Sequence, residues 1–177
     1  MANEVRRSLR TPVGTLRVTA NEHGVTAIER VSRASSRPRA NAAAGGSTSA
    51  GGSAIARRSS SLRATRHAEL AVRQLREYFA GSRTRFSVPL HMEGTEFQQR
   101  AWRAMCKIRY GSTVSYAQQA RMIGSPKAVR AVGSANGANP IPIIVPCHRV
   151  IASDGSLGGY ALGLAMKRKL LALEDAK

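Results

Sequence analysis

Residues 32–66 are almost entirely Ser, Ala, Gly and Arg, centred on "AAAGGSTSAGGS", and such a stretch offers little to a packed core. It predicts a disordered insertion, so the fold has to close on the segments that flank it. The insertion carries seven arginines and no acid. It reads most simply as a solvated linker; the other reading is a basic mobile segment that adds affinity for DNA. The whole chain has a net charge of +18, and without the insertion 21 Lys and Arg still face ten acids, a net +11. The ordered part is therefore basic in its own right. That balance favours a polyanion: DNA, RNA or an anionic membrane surface. No run of apolar residues is long enough to span a bilayer, and the N-terminus lacks the apolar region of a secretory signal. Two cysteines make no disulfide framework, which points to a reducing compartment.

Before the insertion, "TPVGTLRVTA" (11–20), "NEHG" and "VTAIERV" (25–31) read as strand, turn, strand. After it, "HAELAVRQLREYFAG" (67–81) reads as a helix with Leu70, Leu75, Tyr78 and Phe79 on one stripe and Gly81 as its cap. "RFSVPL" (85–90) reads as a short strand. "GTEFQQRAWRAMCKI" (94–108) reads as a second helix, with Thr95 and Gln98 placed for a capping box and Phe97, Ala101, Met105 and Ile108 apolar on one face. Cys106 falls in this helix and reads as core. A subdomain boundary is expected near 86–94.

The stretch "VSYAQQARMIGSPKAVRAVGSANGANP" (114–140) predicts helix, tight turn, helix. Ser115 caps a helix that ends at Gly124. Pro126 suits the first turn of the next helix, which runs to about Gly137. On that helix Lys127, Arg130, Ala131 and Ser134 share a basic, small-residue stripe, while Val129 and Val132 face a core. A packed helical hairpin with a solvated face fits the pattern as well; the net charge favours nucleic acid.

"IPIIVPCHRV" (141–150) reads as a β-branched strand stopped by Pro146, with Cys147 and His148 following. The nucleophilic form of cysteine is the thiolate, and a free thiol near pH 7 needs a base or a positive charge to reach it. Adjacent side chains in an extended segment diverge, so a relay through water is expected between Cys147 and His148 rather than a direct bond. A carboxylate would orient the imidazole. Only Asp154, Glu174 and Asp175 follow Cys147, and Glu174 ends the helix "LAMKRKLLALE". The bland alternative is a buried small thiol beside a satisfied core histidine. Histidines at 23, 67, 91 and 148 and two distant cysteines give no zinc-ligand spacing.

Together, the segments 114–140 and 141–174 resemble the O6-alkylguanine-DNA alkyltransferases, densely from about Gly94 to Glu174. The Pro-Cys-His-Arg-Val element, an upstream Asn-Pro and a downstream Gly-Gly-Tyr carry the resemblance, and residues 11–31 look like the family's weaker N-terminal pattern. The resemblance implies an α+β fold in two subdomains. Residues 1–90 would form a ribonuclease H-like small sheet with a helix, interrupted by the 32–66 insertion. Residues 91–177 would form a mostly helical domain with a winged helix-turn-helix. It implies stoichiometric, irreversible transfer of an alkyl group from O6-alkylguanine, and from O4-alkylthymine, to Cys147 after base flipping. His148 matches the base that deprotonates Cys147 through water, and Glu174 the carboxylate behind it. Asn139 matches the brace of the active-site turn, and Tyr116 a proton donor toward guanine N3 that also pushes the backbone. Arg130 matches the finger that fills the flipped base's place. Ser115, Ser125, Ala128, Ala131, Gly133 and Ser153 match DNA-contacting positions in the minor groove. Pro142, Val150, Tyr160 and Ala161 match pocket positions; Ala161 stands where many relatives carry a polar residue. No cofactor and no metal are expected, since the Cys and His ligands of the structural zinc in some relatives are not evident.

Three functions are weighed on this basis: DNA repair by alkyl transfer, a lesion-marking module without transfer, and a cysteine hydrolase. The presence of Cys147 argues against the second, and nothing specific points to turnover or an oxyanion hole for the third. Expected alongside the first are double-stranded DNA as partner, no membrane, a monomer, and an intracellular site of action, in a nucleus or a bacterial cytoplasm.

Overall fold

Three strands, β1 (Val5–Thr11), β2 (Gly14–Asn21) and β3 (Gly24–Arg30), form an antiparallel meander in the order β1-β2-β3. The structure is a computed structural model that describes residues 4–31 and 54–175. Both hairpins are closed by side chains that imitate backbone. The Thr11 hydroxyl donates to Gly14 O at 2.6 Å, and Asn21 Oδ1 accepts from the backbone N–H groups of His23 and Gly24 at 2.9 and 3.2 Å. β1 lies ahead of the first strand expected from the sequence. Only Leu9 of its seven residues is buried, so arginines hide the alternation, and backbone pairing to β2 makes the strand.

Helix α1 (Ala54–Phe79) crosses one face of the sheet. Its start corrects the expected insertion: 54–66 is helical, and 32–53 lies outside the described residues. Small residues suffice there. Ala64, Ala68 and Ala71 are fully buried, and Arg63 anchors the turn by donating to Glu22 at 2.7 Å. Leu75 and Tyr78 complete the stripe, buried with Leu16 and Val18 of the sheet in one core. Gly81, with φ of 73°, ends the helix: Ser82 N–H donates to Glu77 O and Gly81 N–H to Tyr78 O, each at 2.9 Å.

The edge strand β3 holds two other parts of the chain in place. Val25 N–H donates to Pro89 O and His91 N–H to Val25 O, both at 2.8 Å. This bridge, at Val25 and Leu90, is all the strand character in 85–90, because Pro89 offers no N–H. A Cβ at Gly24 would lie 2.5 Å from the Pro89 carbonyl oxygen, so the close approach requires glycine. Further along, Ile28 N–H donates to Pro140 O at 2.8 Å, tying the sheet directly to the turn that precedes Cys147.

The rest of the chain is helical. Helix α2 (Glu96–Met105) starts in the expected capping box of Thr95 and Gln98. Cys106 is its C-cap and is exposed, not core. Helix α3 (Tyr116–Met122) starts in a second capping box, of Ser115 and Gln118, and leads through a turn into α4 (Val129–Gly137). The second helix begins at Val129 rather than at Pro126; Ala128 is its N-cap, so Lys127 sits in the turn. Val132 is buried as expected, but Val129 is exposed. The helices interlock through a reciprocal amide pair. Gln119 Nε2 donates to Asn136 Oδ1 at 3.0 Å, and Asn136 Nδ2 donates to Gln119 Oε1 at 2.7 Å. Two short strands, β4 (Val114–Ser115) and β5 (Val150–Ile151), pair in parallel, and α5 (Leu164–Asp175) closes the chain against the site. No helix among the described residues is long and apolar enough to cross a membrane.

Candidate active site

The segment before Cys147 is a braced turn, not the expected strand. Asn139 supplies the brace: its Oδ1 accepts from Ile141 N–H at 3.0 Å and its Nδ2 donates to Val145 O at 2.8 Å. Within the turn Ile143 adopts φ of 77°, a left-handed conformation that a β-branched residue rarely takes. Such a residue costs about 1–3 kcal/mol and persists only where its surroundings enforce it. Ile143 is fully buried, and Val145 N–H closes back on Ile141 O at 2.9 Å. A 3-10 turn, Cys147–Arg149, then reverses direction and points successive side chains to different sides.

Cys147 Sγ accepts from Asn139 Nδ2 at 3.2 Å. Burial pushes the thiol up from its ordinary pKa, while the Asn139 bond and the charge of Lys167 pull it down; the first effect wins, so the resting group is a thiol. His148 is fully buried, and its Nε2 lies 2.7 Å from Glu174 Oε1. A carboxylate partner assigns the proton to Nε2, which leaves Nδ1 as the free acceptor. Nδ1 is buried and has no hydrogen-bond partner among the described residues. Burial lowers the His148 pKa against the opposing pull of Glu174, so the imidazole is neutral and able to take a proton. Among the described residues no side-chain hydrogen bond joins Cys147 to the His148 imidazole, in keeping with the divergence expected of neighbours.

Glu174 has more partners than the sequence indicated. Besides His148, its oxygens accept from the Tyr78 hydroxyl at 2.7 Å, from Arg149 Nε and Nη2 at 2.9 and 3.0 Å, and from Gly111 N–H at 3.2 Å. Burial alone would raise its pKa, but the bonds from His148 and Arg149 outweigh that and hold the carboxyl down at about 2. Arg149 and Tyr78 were not singled out as site residues. The arginine of "CHRV" was in view, but nothing in sequence spacing brings Tyr78 of α1 to residue 174.

Lys167 was missed as well. It is fully buried on α5, and its Nζ donates to Val150 O at 2.6 Å, to Gly159 O at 3.3 Å and to Leu157 O. Three donors meet three carbonyls, so this ammonium ties the loop 157–159 down next to Cys147. Replacing it by methionine (Lys167→Met) removes both the tie and a charge that favours the thiolate. The expected result is a Cys147 thiol that reacts about tenfold more slowly with a small alkylating reagent near pH 7, with the thiol limb of its pH–rate profile moved to higher pH. An unmoved limb would reduce Lys167 to a loop tie alone.

Cys147 opens onto a cavity of about 270 Å³. One wall is Gly133, Asn136 and Gly137 of α4; the others are Tyr116 and residues 159–161. The helix-turn-helix and the thiol therefore share one chamber. At Gly158, with φ of 63°, a Cβ would lie 2.9 Å from the Tyr116 ring, so glycine lets the loop close over the tyrosine. Tyr116 donates to Gly159 O at 3.4 Å, and burial together with the neighbouring Cys147 keeps its phenol protonated. Tyr160 lines the cavity with its buried hydroxyl unpartnered, and Ala161 lies beside it.

Other expected site residues fall elsewhere. Val150 is buried in the core and paired with Val114, and Pro142 is buried in the braced turn; neither lines the cavity. Arg130 and Ala131 are exposed on α4, Ser125 and Ala128 are half-buried in the turn before it, and Ser115 is taken up as the α3 cap. Ser153 is exposed in the loop after β5. Among the described residues no group of three or more His, Cys, Asp or Glu is arranged to hold a metal.

Comparison with known proteins agrees with this geometry. Residues 5–92 match the family "6-O-methylguanine DNA methyltransferase, ribonuclease-like domain", and residues 96–176 match its DNA binding domain. A methylated-DNA–protein-cysteine methyltransferase of Mycobacterium bovis is 57% identical over 107 residues, 60% of this chain and 65% of that protein. One of Bacillus subtilis, described as constitutive, is 58% identical over 51% of this chain and 55% of its own length. These alignments span less than two thirds of the relatives. The crystal structure of Mycobacterium tuberculosis OGT in complex with DNA superposes with a TM-score of 0.76 at 40% identity, covering 97% of this chain and 92% of that one. An O6-methylguanine-DNA methyltransferase from Pyrococcus kodakaraensis shares the fold at 20% identity, with a TM-score of 0.53.

Proposed function

The chain belongs to the 6-O-methylguanine DNA methyltransferase family, and on that premise we propose that it repairs DNA by moving an alkyl group from guanine O6 to Cys147. The observation that carries the reading is the shared chamber: a buried thiol on one side and the second helix of a helix-turn-helix on the other. In a duplex the O6 substituent is inside the stack, so the nucleotide must rotate out, at a cost of a few kcal/mol. Arg130, exposed on α4, enters the gap from the minor groove and offsets part of that cost.

The Cys147 proton then passes through one water to His148 Nδ1, and the resulting imidazolium faces the Glu174 carboxylate. A carbon–sulfur bond forms as the carbon–O6 bond breaks, and the electron pair stays on the guanine. Tyr116, protonated, donates toward the departing base. The product is a thioether, and the site contains no group that cleaves one, so each molecule acts once. A single chain supplies every group named, which makes a monomer the working unit.

Intact mass tests the proposal. Incubation with duplex DNA bearing O6-methylguanine should add one methyl mass per protein and then stop. Turnover beyond one equivalent would sink the suicide mechanism, and an unchanged mass would leave only a lesion-binding module. Arg130→Ala should slow repair of duplex by about tenfold and repair of a single-stranded oligonucleotide far less, since only the duplex charges the flipping cost. Equal effects on both substrates would remove Arg130 from that role.

A further inference from the structure

A second cavity, of about 640 Å³, lies on the other side of the 3-10 turn from the thiol chamber. The cavities share no lining residue. Pro146 and Arg149 line this one, and Cys147 lines the other. Its apolar surface includes Phe86, Ile108 and Tyr110, and its cations are Arg85, Lys107 and Arg109. Among the described residues no acid lines it.

What this cavity brings together is three cations around one opening. All three are exposed, and among the described residues none of their side chains has a hydrogen bond or ion pair. Arg63 and Arg100, by contrast, pair with Glu22 and Glu96, whereas Arg121, Lys127 and Arg130 of the helix-turn-helix are unpaired like the three in this cleft. Arg149 also lines the cavity, but Glu174 and the Ile108 carbonyl already use its guanidinium.

We propose that this cleft, formed by the 84–90 linker and the end of α2, binds a phosphate-bearing ligand with an aromatic body, of the class of a nucleotide. Unpaired cations around an acid-free opening select the phosphates. The half-buried Phe86 and Tyr110 rings accept a flat apolar group, and the volume is that of a small-molecule site. The alkyl-transfer reaction makes no use of this cleft, so the two activities separate cleanly.

Cys106 supplies a built-in reporter, because it is exposed and lines the cleft while the only other cysteine is buried in the thiol chamber. With the full-length protein, ATP as probe should bind saturably at one equivalent by calorimetry. It should slow N-ethylmaleimide labelling of Cys106, read by peptide mapping, and leave the labelling of Cys147 unchanged. The triple variant Arg85→Ala, Lys107→Ala, Arg109→Ala should lose affinity by about tenfold or more while keeping methyl transfer from O6-methylguanine DNA. Tripolyphosphate and adenosine should each bind more weakly than ATP. The proposal is overturned if ATP does not saturate, if the triple variant binds as well as the parent, or if Cys106 labelling is unaffected. It is equally overturned if tripolyphosphate matches ATP, or if undamaged duplex DNA displaces ATP, which would move the binding to the DNA face. None of these outcomes bears on alkyl transfer, which the mass measurement tests separately.

Discussion

Cys147→Ser leaves no detectable methyl transfer, a loss of at least about 10⁴-fold, while affinity for duplex DNA is unchanged. The effect is large because the two nucleophiles differ in acidity by several units. A buried thiol already sits above its ordinary pKa and needs His148 to take its proton; a hydroxyl in the same place is far harder to ionise. The fold has little reason to change. Asn139 Nδ2 can donate to oxygen as it does to sulfur, and Val145 O keeps its share of the same amide. On the proposed reading DNA binding rests on α3 and α4, whose capping box and Gln119–Asn136 lock do not involve residue 147. Intact mass after exposure to O6-methylguanine DNA, with binding measured in parallel by anisotropy, reads both halves. Transfer that survives the substitution would move the acceptor to Cys106, the exposed thiol at the end of α2.

Much of that site was legible in the chain itself. The Thr95–Gln98 capping box and the Ser115 cap are local signals, and the structure keeps both, adding Gln118 as the second half of a box at Ser115. Three acids follow Cys147, and the family resemblance rather than the spacing singles out Glu174 as the partner of His148, where the structure has it. The errors share a cause: a tertiary partner decides a local conformation. "IPIIVP" has every local preference of a strand, yet Asn139 bends it into a turn and holds Ile143 left-handed. The Ser- and Arg-rich residues 54–66 have no core-forming pattern, but a helix against a sheet can pack on Ala64 alone. Lys167 and Tyr78 were invisible for a related reason. A lysine on an amphipathic helix normally faces water, and only the loop carbonyls of 157 and 159 reveal what this one does. Val150 stands next to the reactive turn in sequence, and its pairing with Val114 sets it in the core.

Glu174→Gln is expected to act on stability and on transfer at once, through different partners. The folded carboxyl titrates at about 2 against an ordinary value of 4.5, so ionised Glu174 favours the native state. For a lowered carboxyl the sign is fixed: the contribution is complete above about pH 4.5 and disappears as pH falls toward 2. Glutamine removes it at every pH and leaves Arg149, itself buried, without a counter-charge. Breaking such a pair costs about 3–5 kcal/mol. Urea unfolding at pH 7 should show that loss, and the gap between variant and parent should narrow as the pH is lowered through the acid range. A gap that stayed constant down to pH 2 would mean that the charge of Glu174 is not what stabilises the fold. The kinetic effect runs through His148. Without the carboxylate, the imidazolium formed during proton transfer loses its partner, and transfer at pH 7 should fall about 10²–10⁴-fold. Glu174 also raises the His148 pKa against the effect of burial. Its removal should therefore move the acid limb of the pH–rate profile to lower pH even as the plateau drops. A structural role alone would lower the plateau and leave the limb in place, so the direction of that shift decides whether Glu174 tunes the base or merely packs against it.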